Sequence, residues 1–497
     1  GGVREGWLSR LVFLAVALLS VWKISYNAWI FPAWQGQEQE MKFEFKKLGP
    51  LDEAVLELAD LTIICGENNT GKTYVTYAVY GFLRSWRSSL QRMLAQEIEN
   101  SVKANGAYQF DLHKMFHGKL NQYLSKLCKR YIHDLPGAFA TKRNYFDDVQ
   151  MTLSVDEKLE ISEKPFQRTI GGGPAGKVVA TLSKESGSHM LELLIADDSL
   201  FSPFNDLDQF VADAITEIVF SPLLPDAHIS SAERTGVVIF LKELDIARTR
   251  LLKALNSMDS KELQKSPYRL LRAMRTTGYA WPVEDNVEFI RQLEEMGKQV
   301  GPFAEENPAI LEAFDSIIGG SYKVIKDQGL VYQSKDDENS RFSMNESSSC
   351  VRALLDVGFY LRCKAKPGDL FIIDEPELNL HPRNQRAFAR LIAKMVNAGI
   401  KVLVTTHSDY MIKEFNTLIM LAQRAPHTQA MQEKHGYVNE ELLNPERVRL
   451  YMTGTEKINT LKPAKIYPDR GIEVTTFDTT IDEMNTIQDE ILYGGEL

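Results

Sequence analysis

Gly66-Glu67-Asn68-Asn69-Thr70-Gly71-Lys72-Thr73 decides how this 497-residue chain is read. Its spacing is G-x-x-x-x-G-K-T, and the residue types suit a loop that wraps phosphate. Gly66 and Gly71 let the backbone turn tightly and aim N–H groups at phosphate oxygens. Lys72 reaches the β- and γ-phosphates, and the Thr73 hydroxyl can bind Mg²⁺. The flanks agree. Leu61 to Cys65 is a short apolar, β-branched run that reads as a buried strand. Tyr74 to Phe82 reads as the helix whose N-terminus receives the phosphate. Gly66, Asn69, Gly71, Lys72 and Thr73 are the expected nucleotide contacts, with ATP and Mg²⁺ as cofactors.

A second constellation lies about 300 residues on. Leu370 to Asp374-Glu375 is four apolar residues followed by two carboxylates, the pattern of a buried parallel strand presenting acids at its C-terminal end. Asp374 is expected to hold Mg²⁺ with Thr73, and Glu375 to activate the attacking water. Two adjacent acids with no cation nearby would repel each other, so the loop and the acid pair explain one another. Lys401 to Thr406 is another buried strand, ending at His407. It follows the acidic strand by one helix, Arg386 to Val396, which places His407 beside the γ-phosphate in a catalytic or sensing role. Lys72, Glu375 and His407 are the catalytic candidates.

Composition is ordinary for a globular protein, with 44% hydrophobic and 25% charged residues. There are 57 Lys and Arg against 67 Asp and Glu, a net charge of −10. That balance argues against a chain coated in nucleic-acid-binding surface, although a local basic groove would survive it. Four dispersed cysteines without C-x-x-C spacing suit a reducing compartment, the cytoplasm, and suggest neither disulfides nor zinc. The first forty residues differ. Trp7 to Phe31 is largely apolar, and Leu11 to Trp22 contains no charge, but Arg10 and Lys23 bracket that run and its 12 residues fall short of a bilayer span. Membrane contact through residues 7–31 is therefore the less favoured reading. The phosphate loop and acids all follow Met41, so residues 1–40 are expected to add no chemistry.

Along the chain, Met41 to Phe45 and Ala54 to Leu58 read as strands, and Arg84 to Asp134 as helix. Lys126, Lys129, Arg130, Lys142 and Arg143, with Tyr131 and Tyr145 among them, form a basic cluster. It is either a solvated helix face or a contact for nucleic acid or an acidic partner. Met151 to Ile161 and Val178 to Ile195 read as strands of a β-rich subdomain joined through Gly171-Gly172-Gly173-Pro174. Val237 to Phe314 is strongly helical, an inserted arm or lid. Tyr322 to Ile325 and Gly329 to Tyr332 return to strand. The expected divisions are an apolar extension (1–40), the first half of an ATPase head with insertions (41–236), the helical arm (237–315), the second half of the head (316–430) and a strand–helix tail (431–497).

The phrases Asp374 to Pro382 (DEPELNLHP) and Thr405 to Ser408 (TTHS) resemble those of ABC-type ATPase heads of the SMC, RecF and OLD group. The resemblance covers roughly residues 41–83 and 315–425. It implies an α/β fold, a P-loop NTPase head of ABC type with a mostly parallel sheet, and a signature segment that closes over the γ-phosphate of a second copy. The LSGGQ form of transporters is absent. Its place is taken by Asn345 to Arg352, where Ser348 and Ser349 either cap the phosphate or serve as an ordinary helix N-cap. Within the group, Ser230 to Gly236 (SSAERTG) resembles a phrase common in ATPase subunits of anti-phage systems of the PARIS, Septu and retron-associated types. That implies ATP hydrolysis in a head-to-tail dimer or larger homo-oligomer, acting as sensor or regulator of a separate effector, a nuclease or toxin. No D-x-D pair follows His407, so a nuclease centre is expected on another protein. The competing reading is a DNA-repair or DNA-clamping ATPase that grips nucleic acid directly.

Overall fold

The computed structural model describes residues 41–497 except 106–108, 157–160, 162–163, 173–176, 196–206, 242, 245–277, 327, 338–339, 424, 455–458, 474–483, 485 and 489–497. The strands used below are β1 (Met41–Leu48), β2 (Leu51–Leu58), β3 (Leu61–Gly66), β4 (Gln109–Asp111), β5 (Gln150–Val155), β6 (Phe166–Gly172), β7 (Lys177–Lys184), β8 (Met190–Ile195), β9 (Ala227–Ser230), β10 (Gly320–Ile325), β11 (Gly329–Ser334), β12 (Arg341–Ser343), β13 (Leu370–Asp374), β14 (Lys401–Thr406), β15 (Val448–Thr453) and β16 (Leu461–Pro463). The helices used are α1 (Lys72–Asn105), α2 (Leu120–Ala138), α3 (Leu207–Ile215), α4 (Trp281–Arg291), α5 (Pro308–Ile318), α6 (Ser349–Ala353), α7 (Pro382–Asn397) and α8 (Asp409–Leu421).

The centre is a six-stranded sheet in the order β16-β15-β3-β14-β13-β9. All neighbours from β15 to β9 run parallel, and β16 is an antiparallel edge. β3 and β13 are buried at every position, and their largely apolar sequences suit a parallel sheet covered on both faces. Alternate residues go to opposite sides. Ile64, Ile372 and Leu403 join Val75, Ala78 and Phe82 of α1. Ile63, Phe371, Ile373, Val402 and Val404 join Phe388, Leu391 and Ile392 of α7 and Phe415 of α8. Smaller antiparallel sheets flank this body: β2-β1-β5, β4-β8-β7-β6 and β10-β11-β12. This is an α/β fold built on a mostly parallel central sheet.

Several elements differ from the sequence expectation. The first helix does not stop near Phe82 but runs 34 residues from Lys72, its inner face continuing through Trp86, Leu90 and Leu94. β5 does not pair with the strands after residue 177; it lies against β1, in register from Met41↔Val155 to Lys46↔Gln150. The hairpin at the glycine run joins β6 to β7 instead, and Gly171 and Gly172 are themselves paired strand residues, beside a register shift at Ile170. The strand Val448–Thr453 is not confined to a tail. It pairs with β3 along its whole length, from Val448↔Leu61 to Thr453↔Gly66. Within 237–315, residues 242 and 245–277 of the arm expectation lie outside the described residues. From Trp281 onward the helices pack into the head, with Val287, Phe289 and Ile290 of α4 and Phe314 of α5 in the core. Residues 1–40 also lie outside the described residues, as does most of the final helix expected from Asp482, of which 484 and 486–488 are described and helical. Among the described residues, no helix is long and apolar enough to cross a membrane.

Part of the basic cluster lies on an exposed face of α2. Lys126, Lys129 and Arg130 are exposed on α2. Lys126 lies 3.8 Å from Glu97, and Arg130 Nη1 donates to Ser89 O at 3.3 Å. Tyr131 is buried, its ring against Phe82 and Trp281, so it is core and not an interleaved surface aromatic.

Candidate active site at the strand ends

The parallel sheet brings Gly66, Thr406, Asp374 and Thr453 to one edge, because Thr406 pairs with Cys65, Asp374 with Thr405, and Thr453 with Gly66. β14 lies between the loop strand and the acidic strand, so His407 emerges between them. Gly66 and Gly71 adopt φ of 142° and 100°, and Asn69 sits at 63° in the left-handed region that Asn tolerates. At Gly66 there is also no room for a side chain: a Cβ would lie 2.3 Å from Thr453 Oγ1. α1 begins at Lys72, so its first free N–H groups open onto the loop. The Lys72 ammonium is buried and donates to Gly66 O at 2.9 Å and Glu67 O at 2.7 Å. Burial pushes its pKa down, while Glu375, Asp374 and Glu377 oppose that shift.

Thr73 Oγ1 meets Asp374 Oδ2 at 3.2 Å across 301 positions of sequence. Thr405 Oγ1 donates to the other Asp374 oxygen. The Asp374 carboxyl is fully buried, and burial pushes its pKa up to about 6. Two hard oxygen donors at one point, one of them a carboxylate that lacks solvent, fit Mg²⁺, which takes one or two protein oxygens and completes its shell with water and phosphate. Among the described residues, no group of three or more His, Cys, Asp and Glu forms a metal cage of its own.

Glu375 turns away from the strand at φ 49°, a conformation costly for a side-chain-bearing residue. Its N–H is held by Thr405 O at 3.2 Å and Thr405 Oγ1 at 3.1 Å. The carboxylate is about a quarter exposed and lies 3.8 Å from His407 Nδ1. His407 is held by Glu377, a residue within the DEPELNLHP phrase to which the sequence assigned no role. Glu377 Oε1 accepts from His407 N at 2.7 Å and Thr406 Oγ1 at 2.8 Å, and lies 3.1 Å from His407 Nδ1. A carboxylate only accepts, so the contact suits a ring N–H at Nδ1. Next to it, Ser408 caps α8 by accepting from Met411 N at 3.3 Å, which fixes the turn that carries His407.

A domain profile described as an AAA ATPase domain matches residues 250–412, about a third of the chain and including Asp374, Glu375 and His407. The chain is an ATPase. Among solved structures, the ATPase is similar to the SmcHead bound to the C-winged helix domain of ScpA, at 13% identity and TM-score 0.33, covering 85% of this chain and 97% of that one. It is similar to the Smc head domain with an extended coiled coil bound to the C-terminal domain of ScpA, derived from Pyrococcus furiosus, at 14% identity and TM-score 0.32, covering 90% and 100%. The SMC head domain from Thermotoga maritima follows at 10% identity and TM-score 0.31, covering 86% and 99%. No curated protein matches the chain. Superpositions this loose leave the site to rest on its own geometry.

Ser348 and Ser349 are exposed at the start of α6, where the Ser348 hydroxyl accepts from Val351 N at 3.3 Å as an N-cap. Within the same chain, the side chains of Lys72 and Thr73 bond to Gly66, Glu67 and Asp374 and not to these serines. Three supports of the site were given no role by the sequence: Thr405, whose hydroxyl serves both acids; Thr453, which packs on Gly66; and Arg234. Arg234 belongs to the Ser230 to Gly236 phrase, so a signal was present there, but its role was not readable from it.

Proposed function

We propose that this edge is the hydrolytic site and that the enzyme uses it to regulate a separate toxic effector, a nuclease, in anti-phage defence. The contact between Thr73 and Asp374, with Glu375 and His407 beside it, carries the hydrolytic reading. Bound Mg²⁺ would neutralise phosphate charge, with Thr73 and Asp374 as its protein ligands. Gly66, Asn69 and Gly71 shape the loop around the β-phosphate, and Lys72 swings from its carbonyl contacts to the phosphates. Glu375 takes the proton from the water that attacks the γ-phosphorus. His407, with Nδ1–H on Glu377, offers Nε2 towards the same water. Ser348 and Ser349, exposed on α6, close the site of a second copy in head-to-tail pairing. The effector role is supported by the likeness of Ser230 to Gly236 to the defence ATPases. For domain organisation, we propose one head assembled from both sides of the 237–280 region and completed by β15.

Mixing tests the composite site. Lys72→Ala subunits and Ser348→Arg/Ser349→Arg subunits are each expected to be inactive, and the mixture to recover part of the parental turnover through one intact site per pair. No recovery, or full activity in either pure variant, argues against sharing. The effector role is tested by isolating Glu375→Gln from cells carrying the native neighbouring genes, in ATP and in ADP. A nuclease or toxin retained in only one nucleotide state is expected. Turnover stimulated by DNA, with no protein retained, would point to a nucleic-acid clamp instead.

A further inference from the structure

Arg234 is among the largest fully buried side chains of the protein, with a relative exposure of 1%. It opens the helix 234–241 directly after β9. Its hydrogen bonds all go to main-chain carbonyls, and they join three elements. Nη1 donates to Ser231 O at 3.0 Å in its own turn and to Asp374 O at 2.7 Å. Nη2 donates to Glu375 O at 2.9 Å, and Nε to Ala353 O at 2.8 Å. Ala353 is the last residue of α6, so this carbonyl is one that the helix itself leaves without a partner. Glu375 is the residue held at positive φ, so a donor fixed on its carbonyl helps to hold the strained turn that aims its carboxylate.

We infer that Arg234 is a positioning residue for hydrolysis, a buried cation that locks the helix behind Ser348 and Ser349 to the strand end carrying Asp374 and Glu375. This rests on the hydrolytic site proposed above. The planar guanidinium reaches two successive carbonyls and the helix end with donors in one rigid fork, which a lysine cannot do. The surroundings are those of a held charge: burial disfavours the cation, while Asp356, Asp374, Glu377 and Glu375 favour it. Asp356 is in turn fixed by Ser230 Oγ at 2.5 Å. A link with only a packing role would be met by an apolar side chain of equal volume at lower desolvation cost. Through this fork, a shift of α6 reaches Glu375 without passing through the phosphate loop.

Arg234→Lys and Arg234→Gln test the inference, with turnover counted per folded, nucleotide-loaded enzyme and ATP affinity measured separately. Arg234→Lys is expected to bind ATP within about twofold of the parent, because the loop is untouched, and to lose turnover by on the order of ten- to a hundredfold, the scale of a misplaced reacting group. Arg234→Gln is expected to lose at least as much. Parental turnover per loaded enzyme in Arg234→Lys, or equal losses of affinity and turnover, overturns the assignment. Failure of both variants to fold would make Arg234 a packing residue and also overturn it. Glu375→Gln is the control for the underlying reading: a Glu375→Gln enzyme as fast as the parent would put the site itself in error, whatever Arg234 does.

Discussion

The phosphate loop and the acidic strand end stand two strands apart on one sheet edge, yet they are held in different ways. The loop is held mostly from within. Lys72 donates to Gly66 O and Glu67 O, and Thr70 Oγ1 donates to Glu67 O at 2.8 Å. Its outside supports are the end of β15, where Thr453 packs on Gly66 and a Cβ at the following Gly454 would lie 2.6 Å from Thr70, and Leu51 of β2, 2.7 Å from where a Cβ at Gly71 would lie. The acidic end is held almost wholly from without, by Thr73, Arg234, Thr405 and His407, which are scattered over more than 300 positions. A self-contained loop can bind phosphate while the rest of the site moves. An end that depends on three other elements can be switched off by any of them. The first region should therefore govern nucleotide binding, and the second turnover.

The largest expected effect separates the two. Glu375→Gln keeps the shape of the acidic end but removes the base, so turnover should fall by ~10²–10⁴ with ATP binding retained. Lys72→Ala should abolish ATP binding itself. Equilibrium nucleotide binding measured beside single-turnover hydrolysis checks both, and a Lys72→Ala enzyme that binds ATP like the parent would end the division of labour.

A smaller effect concerns stability at the acidic end. The Asp374 carboxyl has a pKa of about 6 in the fold against an ordinary 3.8, raised chiefly by burial. The folded chain thus holds this proton more tightly than the unfolded chain. Below about pH 4 both are protonated and the group costs nothing; as pH rises to about 6 the parent loses stability, and above that the loss is complete, at most ~3 kcal/mol. Asp374→Asn should therefore unfold at a higher temperature than the parent at pH 7.5 in EDTA without nucleotide, while losing Mg²⁺-dependent hydrolysis. The difference should shrink towards pH 4. Thermal melts across that range check the sign, and a variant less stable than the parent at pH 7.5 would mean that the hydrogen bonds of Asp374 outweigh its burial.

The same contrast explains what was legible in the sequence. The loop, LFIIDE and TTHS are contiguous, and their apolar runs announce buried parallel strands, so Gly66 to Thr73, Asp374, Glu375 and His407 can be placed at one edge from the residues alone. What was missed is what only topology creates. β15 reads as a strand, but nothing in VRLYM says that it pairs with β3. Tyr131 falls within a basic run and reads as surface until α2 turns it towards Phe82. That Tyr74 to Phe82 and the helical stretch from Arg84 form one helix, Lys72–Asn105, was obscured by Gly81. Gly81 is nonetheless needed inside the helix, because a Cβ there would lie 2.2 Å from the Tyr131 hydroxyl. Arg234 and Glu377 are visible as letters of a phrase, but their partners lie on other elements.

Glu377 gives the finest test of whether the acidic end is set from without. Its Oε1 gathers the His407 N–H, the Thr406 hydroxyl and the imidazole Nδ1, and its side chain is only 5% exposed. Its side-chain hydrogen bonds reach neither the loop nor the Thr73–Asp374 contact but only Thr406 and His407, while its charge alone acts on Lys72 and Arg234. In Glu377→Gln the amide oxygen can still accept, but the NH₂ replaces an oxygen that is buried without a partner. A donor there has no acceptor, or the amide flips and presents N–H to the imidazole, forcing the proton onto Nε2. Either way His407 loses its orientation or its acceptor face. Orienting partners of functional histidines typically matter by roughly 10–100-fold, so turnover should fall by about tenfold with ATP affinity unchanged. Glu377→Asp should recover part of it by restoring an acceptor. An NMR reading of the His407 tautomer in parent and variant completes the check. Loss of turnover with Nδ1 still protonated would place the role of Glu377 in the backbone of Thr406 and His407, and a loss of ATP affinity would show that the loop depends on the acidic end after all.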